Sequence, residues 1–189
     1  MRCCFGYEFR LAGKLFIAEE DGFVTAVSKT ADNFCVLRET KLILETKRQL
    51  EEYFDKKRKI FELPLKPDGT DFQKKIWAEL EKIPYGQTLS YGELAERAGN
   101  PRGARAAGSA CNKNPVCIII PCHRVVAANG NLTGYAYGLE MKRALLEMEN
   151  SVDNGQHKCN SSFAIEAKQK KPLDPAQVLW TSQEDGKNN

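Results

Sequence analysis

The segment from Val116 to Val126 reads VCIIIPCHRVV, with apolar residues on both sides of one polar group. Its first half, residues 116–120, is rich in β-branched side chains, which predicts a fully buried β-strand. Pro121 ends that strand because proline has no N–H group for a sheet ladder. Cys122 and His123 follow, and a thiol beside a cationic group loses its proton more readily than usual. Two interpretations are open at this point: a buried structural cysteine, or a nucleophile beside its base.

The helix predicted from residue 139 to about residue 149 carries one carboxylate that faces inward. At about 100° per residue, Glu149 lies on the same side as two core-facing leucines. A buried carboxylate without a partner is costly, and His123 is the most economical partner in the chain. Such a pair would fix the tautomer of the imidazole and leave its other nitrogen as a base for Cys122. The alternative is that the helix end frays and the carboxylate meets solvent.

Two short helices are predicted upstream of the opening segment. Residues 90–93 (Ser-Tyr-Gly-Glu) form a capping box that begins the first helix, and Gly99 suits the left-handed position after its last turn. Asn100 is expected to cap the second helix, with Pro101 at its first position. Two short helices joined by a turn that contains glycine are typical of a helix-turn-helix.

The second of these helices carries almost no large side chain except Arg105. Its small residues are Ala104, Ala106, Ala107, Gly108, Ser109 and Ala110. Such a helix fits closely into a groove of DNA while the arginine reaches further in. The chain also lacks acidic residues from Arg97 to Leu139, which suits a polyanion such as DNA. Two alternatives stay open: small residues also let another helix pack closely, and a core segment is poor in charge in any case.

Three regions of the chain differ in composition and pattern. Residues 1–66 hold an Asp-Gly turn signal between two apolar runs and one amphipathic helix, which predicts a small α/β domain without evident chemistry. A Lys-Pro-Asp-Gly turn at 66–69 is the expected boundary, and residues 67–150 form the second domain. Residues 151–189 are predicted to be a disordered polar tail. Within that tail, residues 175–180 are expected to dock on a protein partner or on the chain itself.

The overall composition is that of an ordinary globular protein and excludes several classes. Of 189 residues, 42% are hydrophobic, and the chain has 28 basic and 25 acidic side chains. No apolar run reaches the ~18 residues of a membrane span, and no signal peptide is evident. The seven cysteines are odd in number and irregularly spaced, which predicts free thiols in a reducing compartment. The two histidines make no zinc-finger spacing with them, so no metal is expected.

The second domain resembles the O6-alkylguanine-DNA alkyltransferase family, also called methylated-DNA–protein-cysteine methyltransferases. Residues 120–125, Ile-Pro-Cys-His-Arg-Val, are similar to its active-site signature, and the similarity covers about residues 70–150. The flanking features that match in order are Ser90–Ala95, Gly99–Pro101 with Arg105-Ala106, Asn114-Pro115, Gly134-Tyr135 and Lys142–Glu149. The resemblance implies a ribonuclease H-like α/β N-terminal domain and a mainly α C-terminal domain with a winged helix-turn-helix.

The resemblance also implies roles for individual residues near the signature. Cys122 would accept the alkyl group, and His123, acting through a water molecule, would be its base. Glu149 would orient the histidine, and Asn114 would brace the active-site turn. Tyr91 would push the rotating phosphate and bond the flipped base, and its phenol is able to give the leaving guanine a proton.

By the same resemblance, the second helix enters the minor groove, and its arginine fills the stack that the flipped base leaves. The residues expected to contact DNA are Tyr91, Asn100, Arg102, Ala104, Arg105, Ala106, Gly108 and Ser109. The expected substrate pocket comprises Arg124, Val125, Tyr135, Ala136 and Tyr137. Backbone groups of Val125 and Ala136 would read the guanine edges, and Tyr135 would form a wall. Tyr137 stands where some relatives have a small residue, which predicts poorer acceptance of benzyl than of methyl adducts.

The implied function is DNA repair by one stoichiometric transfer. The alkyl group of O6-alkylguanine, with O4-alkylthymine as a second substrate, would move to Cys122 and inactivate the protein. We expect double-stranded DNA as the partner, a monomer, no cofactor, and a location in the nucleus of a eukaryote or otherwise in the cytoplasm. Two other functions stay open. A non-catalytic damage sensor of the same fold is opposed by Cys122, and a Cys-His hydrolase is opposed by the helix-turn-helix pattern.

Overall fold

The computed structural model describes residues 1–31 and 35–150, and the predicted tail lies outside them. The N-terminal elements are β1 (Cys3–Phe9), β2 (Gly13–Glu20), β3 (Phe23–Ser28), β4 (Val36–Leu37) and α1 (Lys41–Phe54). They form a sheet of order β3-β2-β1-β4, in which β1 to β3 are antiparallel and β4 pairs in parallel with β1. Helix α1 packs against this sheet and buries its apolar face there. The predicted α/β character of this region is confirmed.

The rest of the described chain is mainly helical. Its elements are α2 (Asp71–Glu81), β5 (Leu89–Ser90), α3 (Tyr91–Arg97), α4 (Ala104–Asn112), a short 3-10 helix (Cys122–Arg124), β6 (Val125–Val126) and α5 (Leu139–Asn150). β5 and β6 pair in parallel as a two-stranded sheet. Capping boxes begin both α2 and α3, and the start of α3 predicted from residues 90–93 is confirmed. Among the described residues, none of the helices combines the length and the apolar character needed to cross a bilayer.

Local turn signals in the sequence are only partly correct. Asp21 and Gly22 both have positive φ, 54° and 80°, as the predicted Asp-Gly hairpin requires. The expected start of α4 at Asn100 is wrong, because the helix begins at Ala104 with Gly103 as its N-cap. A turn closed by the Gly103 N–H on the Asn100 carbonyl, at 2.8 Å, separates the two helices. A β-carbon on Gly103 would lie 2.4 Å from the Asn100 side chain and 3.0 Å from the Asn100 carbonyl oxygen, so this turn favours glycine.

The prediction of a β-strand at residues 116–120 is wrong, although all five residues are buried. The chain there folds into a tight turn in which Cys117 bridges to Ile120. The Ile120 N–H donates to the Val116 carbonyl at 3.0 Å, and Ile118 takes a left-handed φ of 71°. That conformation is unusual for a β-branched residue and persists only where the surroundings enforce it. Burial explains the apolar run, whereas tertiary contacts decide its backbone shape.

Hydrogen bonds join the sheet to the segment that precedes the 3-10 helix. The Val27 N–H donates to the Pro115 carbonyl at 2.8 Å, and the Cys117 N–H donates to the Val27 carbonyl at 3.0 Å. Val24 pairs in the same way with residues 64–66. One hydrophobic core includes residues from both the α/β region and the helical region. Backbone pairing therefore crosses the boundary that the sequence predicts at residue 66.

The cysteines are not all free thiols. A disulfide joins Cys4 to Cys35, so the expectation of unpaired cysteines is wrong for these two. Cys4 lies in β1 and Cys35 precedes β4, the strand that pairs with β1. The buried free thiols of the described chain are Cys3, Cys111, Cys117 and Cys122. The disulfide therefore ties the two neighbouring strands of the sheet together.

Trp77 connects α2 to α4, and its replacement tests how firmly α4 is held. The indole is 1% exposed, and its Nε1–H donates to the Ala110 carbonyl at 2.9 Å. Trp77→Phe leaves a cavity and removes one of the two donors to the Ala110 carbonyl, so we expect the free energy of unfolding to fall by about 2–4 kcal/mol in urea denaturation. Leu44→Ala, at a side chain that is 46% exposed, is the control and should change it by about 0.5 kcal/mol or less. Equal losses in the two variants would contradict this role of the indole.

Candidate active site

The 3-10 helix places the thiol, the imidazole and the guanidinium in the interior. Cys122, His123 and Arg124 are 5%, 0% and 5% exposed. The Cys122 N–H donates to the Ile120 carbonyl at 2.9 Å, which fixes the thiol directly behind the tight turn. The structure shows that all three side chains are buried.

Glu149 contacts His123, as its inward position on the helix predicts. The carboxylate Oε1 lies 3.0 Å from the imidazole Nε2, and both side chains are inaccessible to solvent. Burial by itself would raise the pKa of Glu149, but hydrogen bonds from His123 and Arg124 outweigh it and hold the pKa below its ordinary value. Burial lowers the pKa of His123, against the opposing effect of Glu149. The carboxylate is therefore ionised beside a neutral imidazole at neutral pH.

Arg124, which the sequence placed among the expected pocket residues, bonds the buried carboxylate of Glu149. Its guanidinium donates to both oxygens of Glu149, from Nη2 to Oε1 at 2.9 Å and from Nε to Oε2 at 3.0 Å. A further bond runs from Nη1 to the Ile83 carbonyl at 2.6 Å. The backbone N–H of Gly86 completes the set with a 3.0 Å bond to Oε2. The burial cost of one carboxylate explains why this arginine turns inward.

Asn114 lies beside the thiol in the bracing position that the resemblance implies. Its Nδ2 donates to the Ile120 carbonyl at 2.8 Å and to the Cys122 Sγ at 3.3 Å, while its Oδ1 accepts from the Val116 N–H at 3.0 Å. Burial nevertheless raises the pKa of Cys122, with Asn114 and then Lys142 opposing that effect. A neighbouring cation, Lys142, does lower the pKa of the thiol, but burial has the larger effect, so the pKa of Cys122 stays above its ordinary value. The thiol needs a base to react at neutral pH.

Lys142 is a second buried ion near the thiol, and the sequence reasoning did not single it out. Its Nζ donates to the Val125 carbonyl at 2.5 Å and to the Thr133 carbonyl at 2.9 Å. Burial lowers its pKa. It lies seven positions before Glu149 on α5, so the projection that placed Glu149 inward also places Lys142 there. The lysine links β6 to the loop that follows it.

That loop brings the expected pocket residues together near the thiol. The rings of Tyr135 and Tyr137 meet edge to face with centroids 5.8 Å apart. The Tyr135 hydroxyl is buried and has no hydrogen-bond partner among the described residues. The Tyr91 hydroxyl closes the loop by donating to the Thr133 carbonyl at 3.0 Å. Burial, the main cause, raises the pKa of Tyr91 to about 12, so the phenol keeps its proton at neutral pH.

The outer face of α4 is exposed where contact with DNA is expected. Arg102, Arg105, Ala106 and Ser109 are exposed, as is Asn100 in the preceding turn, whereas Ala104 and Gly108 are half-buried. Ala107, Ala110 and Cys111 turn into the core. A β-carbon on Gly108 would lie 3.6 Å from the Tyr91 ring, so the exposed face continues directly to Tyr91. The small residues of α4 therefore fit both interpretations, close packing and contact with DNA, because one face of the helix packs into the core and the other is exposed.

A buried thiol, an imidazole paired with a carboxylate, and an exposed basic helix together are the arrangement of a cysteine-dependent enzyme. Residues 71–151 match the family model described as "6-O-methylguanine DNA methyltransferase, DNA binding domain". The methylated-DNA–protein-cysteine methyltransferase of Methanosarcina acetivorans is 55% identical over 107 residues, 57% of this chain and 69% of that protein. The constitutive one of Bacillus subtilis is 42% identical over 147 residues, 72% of this chain and 89% of that protein.

Solved structures agree with these relatives. The crystal structure of Mycobacterium tuberculosis OGT in complex with DNA has a TM-score of 0.74 and 39% identity, covering 78% of this chain and 92% of that one. The O6-methylguanine methyltransferase of the same organism has a TM-score of 0.72 and 37% identity, covering 80% and 94%. The chain belongs to the methylated-DNA–protein-cysteine methyltransferase family.

Replacement of Glu149 by glutamine tests the buried ion cluster. Because the pKa of Glu149 is depressed in the folded protein, its carboxylate stabilises the fold above the ordinary value of 4.5, and that contribution is lost as the pH falls toward the folded pKa. We expect Glu149→Gln to lower the free energy of unfolding by about 3 kcal/mol at neutral pH, because it leaves Arg124 unpaired. The difference from wild type should shrink as the medium becomes acidic. Urea denaturation over a pH series measures both effects.

Glu147→Gln is the matched control, since Glu147 lies on the same helix and is exposed. It should change the free energy of unfolding by about 0.5 kcal/mol or less at any pH. A Glu149→Gln deficit that stays constant down to strongly acidic pH would contradict the assigned ionisation.

Proposed function

We propose that the chain repairs DNA by moving the alkyl group of O6-alkylguanine to the Sγ of Cys122 in a single displacement. The S–C bond forms as the bond from carbon to guanine O6 breaks, and the thioether has no built-in reversal. Each molecule therefore acts once and is inactivated. The observation that carries this proposal is the buried contact of Glu149 with His123, directly beside the only residue of the 3-10 helix that is a nucleophile. The chain is a methylated-DNA–protein-cysteine methyltransferase by family.

The proposed proton path uses the two nitrogens of His123. Its Nε2–H faces the carboxylate of Glu149, so the lone pair is on Nδ1. That Nδ1 is buried and has no partner among the described residues. It accepts the proton of Cys122 through a water molecule as the thiol attacks. The leaving guanine takes a proton from the phenol of Tyr91, which is protonated at neutral pH because burial raises its pKa.

DNA is the macromolecular partner of this family, and the exposed face of α4 is the proposed contact. The helix would lie in the minor groove, where its small residues allow close approach to the backbone. Arg105 would fill the stack that the rotated guanine leaves, and Tyr91 would contact the flipped nucleotide. The other proposed contacts are Asn100, Arg102, Ala104, Ala106, Gly108 and Ser109. Base flipping is needed because the alkylated atom is out of reach of a buried thiol while the base stays in the duplex.

The proposed pocket for the flipped base lies between the thiol and the loop after β6. Tyr135 would form its wall, and the backbone of Ala136 would read the guanine edge, a contact that depends on no side chain. The Val125 carbonyl already accepts a hydrogen bond from the Lys142 Nζ, so its second lone pair would accept a hydrogen bond from the flipped base. O4-alkylthymine is the proposed second substrate. A non-catalytic sensor and a Cys-His hydrolase are not favoured by the family membership or by Cys122.

The finer architecture completes the proposal. Residues 1–66 would form a ribonuclease H-like domain, residues 67–150 an alkyltransferase and DNA-binding domain with a winged helix-turn-helix, and residues 151–189 a tail. We propose that the protein acts as a monomer, that residues 175–180 contact a protein partner, and that it is found with the DNA, in the nucleus of a eukaryote or otherwise in the cytoplasm.

Mass spectrometry after incubation with duplex DNA that carries O6-methylguanine tests the transfer. We expect each protein molecule to gain the mass of one methyl group, on the peptide that contains Cys122. Cys122→Ser should abolish the gain, and Cys3→Ala, at a buried cysteine in β1, should leave it complete. Unchanged mass with tight binding to the lesion would favour the sensor. Repeated turnover of a thioester without DNA would favour the hydrolase.

The size of Tyr137 predicts selectivity among adducts. Its ring packs against Tyr135 at the loop, so a benzyl group is expected to react more slowly than a methyl group. Tyr137→Gly should raise the single-turnover rate on O6-benzylguanine by roughly tenfold, the effect of about 1.4 kcal/mol of relieved crowding, and leave the rate on O6-methylguanine nearly unchanged. Equal wild-type rates on the two adducts would contradict the prediction.

A further inference from the structure

Tyr53 reaches the active site from the α/β region, to which the sequence assigned no chemistry. It lies in the last turn of α1 and is 0% exposed. Its hydroxyl donates to the Glu149 Oε1 at 2.5 Å and lies 3.3 Å from the His123 Nε2. We propose that Tyr53 is a positioning residue that holds His123 in the tautomer and the basicity needed to deprotonate Cys122. This inference rests on the proposed function.

The direction of the hydrogen bonds determines what Tyr53 does. An ionised carboxylate can only accept, so the phenol proton points to Glu149. Burial, followed by the negative charge of Glu149, raises the pKa of Tyr53 well above its ordinary value, so the phenol remains a donor. The phenol oxygen can therefore act toward Nε2 only as an acceptor. Two acceptors then face the same nitrogen of His123, which keeps its proton on Nε2 and leaves the lone pair on Nδ1.

The surroundings of Tyr53 hold the hydroxyl in place. Its ring packs against Phe61 and Tyr85, with centroids 5.2 Å and 6.0 Å away. One turn earlier, the Gln49 side chain bonds both backbone groups of Glu62, accepting at 2.9 Å and donating at 3.2 Å. Helix α1 is thereby tied to the segment that leads into the helical region. Because the Tyr53 phenol is buried and held by these contacts, it restricts the position of the Glu149 carboxylate.

Removal of the hydroxyl has a predictable effect on His123. Titratable and charged groups surround His123 on every element packed against it. They are Cys122, Arg124, Lys142, Glu149, Tyr53, Tyr85 and Tyr135. Of these, only Tyr53 and Arg124 share the Oε1 of Glu149 with the imidazole. Without the phenol, the negative charge on Oε1 is less dispersed and favours the imidazolium form more strongly. His123 would then become neutral only at a higher pH.

The test compares Tyr53→Phe with Tyr85→Phe in the full-length protein. Both changes remove one buried hydroxyl from adjacent rings, but the Tyr85 hydroxyl has no hydrogen-bond partner among the described residues. Single-turnover methyl transfer from an O6-methylguanine duplex is followed over a pH series. We expect Tyr53→Phe to be slower by about tenfold at neutral pH and its acid limb to move to higher pH. Tyr85→Phe should match the wild type in rate and in acid limb.

Several outcomes would overturn the inference. One is a wild-type acid limb in Tyr53→Phe, whether or not the rate falls, because a structural role alone lowers the rate equally at every pH. Another is an equal shift in Tyr85→Phe. If Tyr53→Phe does not fold, the ¹⁵N spectrum of His123 in the wild type decides the matter: a proton on Nε2 supports the inference and a proton on Nδ1 overturns it. Absence of methyl transfer in the wild type would instead refute the proposed function.

Discussion

The buried carboxylate of Glu149 is the constraint on which the site depends. Its two oxygens accept hydrogen bonds from the phenol of Tyr53, the backbone of Gly86, and the side chains of His123 and Arg124. These donors come from α1, from the turn after α2 and from the 3-10 helix. A buried carboxylate is tolerated only when such partners compensate its lost hydration. One ion therefore fixes the mutual positions of three distant parts of the chain and of the base itself.

The thiol depends on that arrangement because it is not activated by itself. Burial raises the pKa of Cys122, and the opposing effects of Asn114 and Lys142 are smaller. A protonated thiol resists chance oxidation and alkylation, which suits a residue that reacts once. In the proposed mechanism, reaction then requires a base whose own state is defined, and the pairing of His123 with Glu149 would supply it. The left-handed Ile118 and the bridged turn around it hold the thiol at the end of a rigid segment.

Local signals in the sequence predicted some features correctly because each depends on few neighbours. The Asp-Gly hairpin at Asp21 and the capping box at Ser90 are confirmed, since both are decided within about four residues. That the Glu149 side chain points into the core was predictable from helical periodicity alone. The strand expected at 116–120 failed for a different reason. An apolar run reports burial, and a buried turn braced by the Asn114 side chain satisfies burial as well as a strand does.

The sequence by itself determined which groups were chemically able to act and which way each points from its own element. It placed the thiol and its base in one motif and aimed one carboxylate at the core. Only the tertiary structure decided the partners. Tyr53 and Glu149 are 96 positions apart, and Arg124 lies 41 positions from the carbonyl of Ile83. Periodicity describes orientation within one helix, whereas contacts between distant elements follow from packing the whole core, and no local pattern records that.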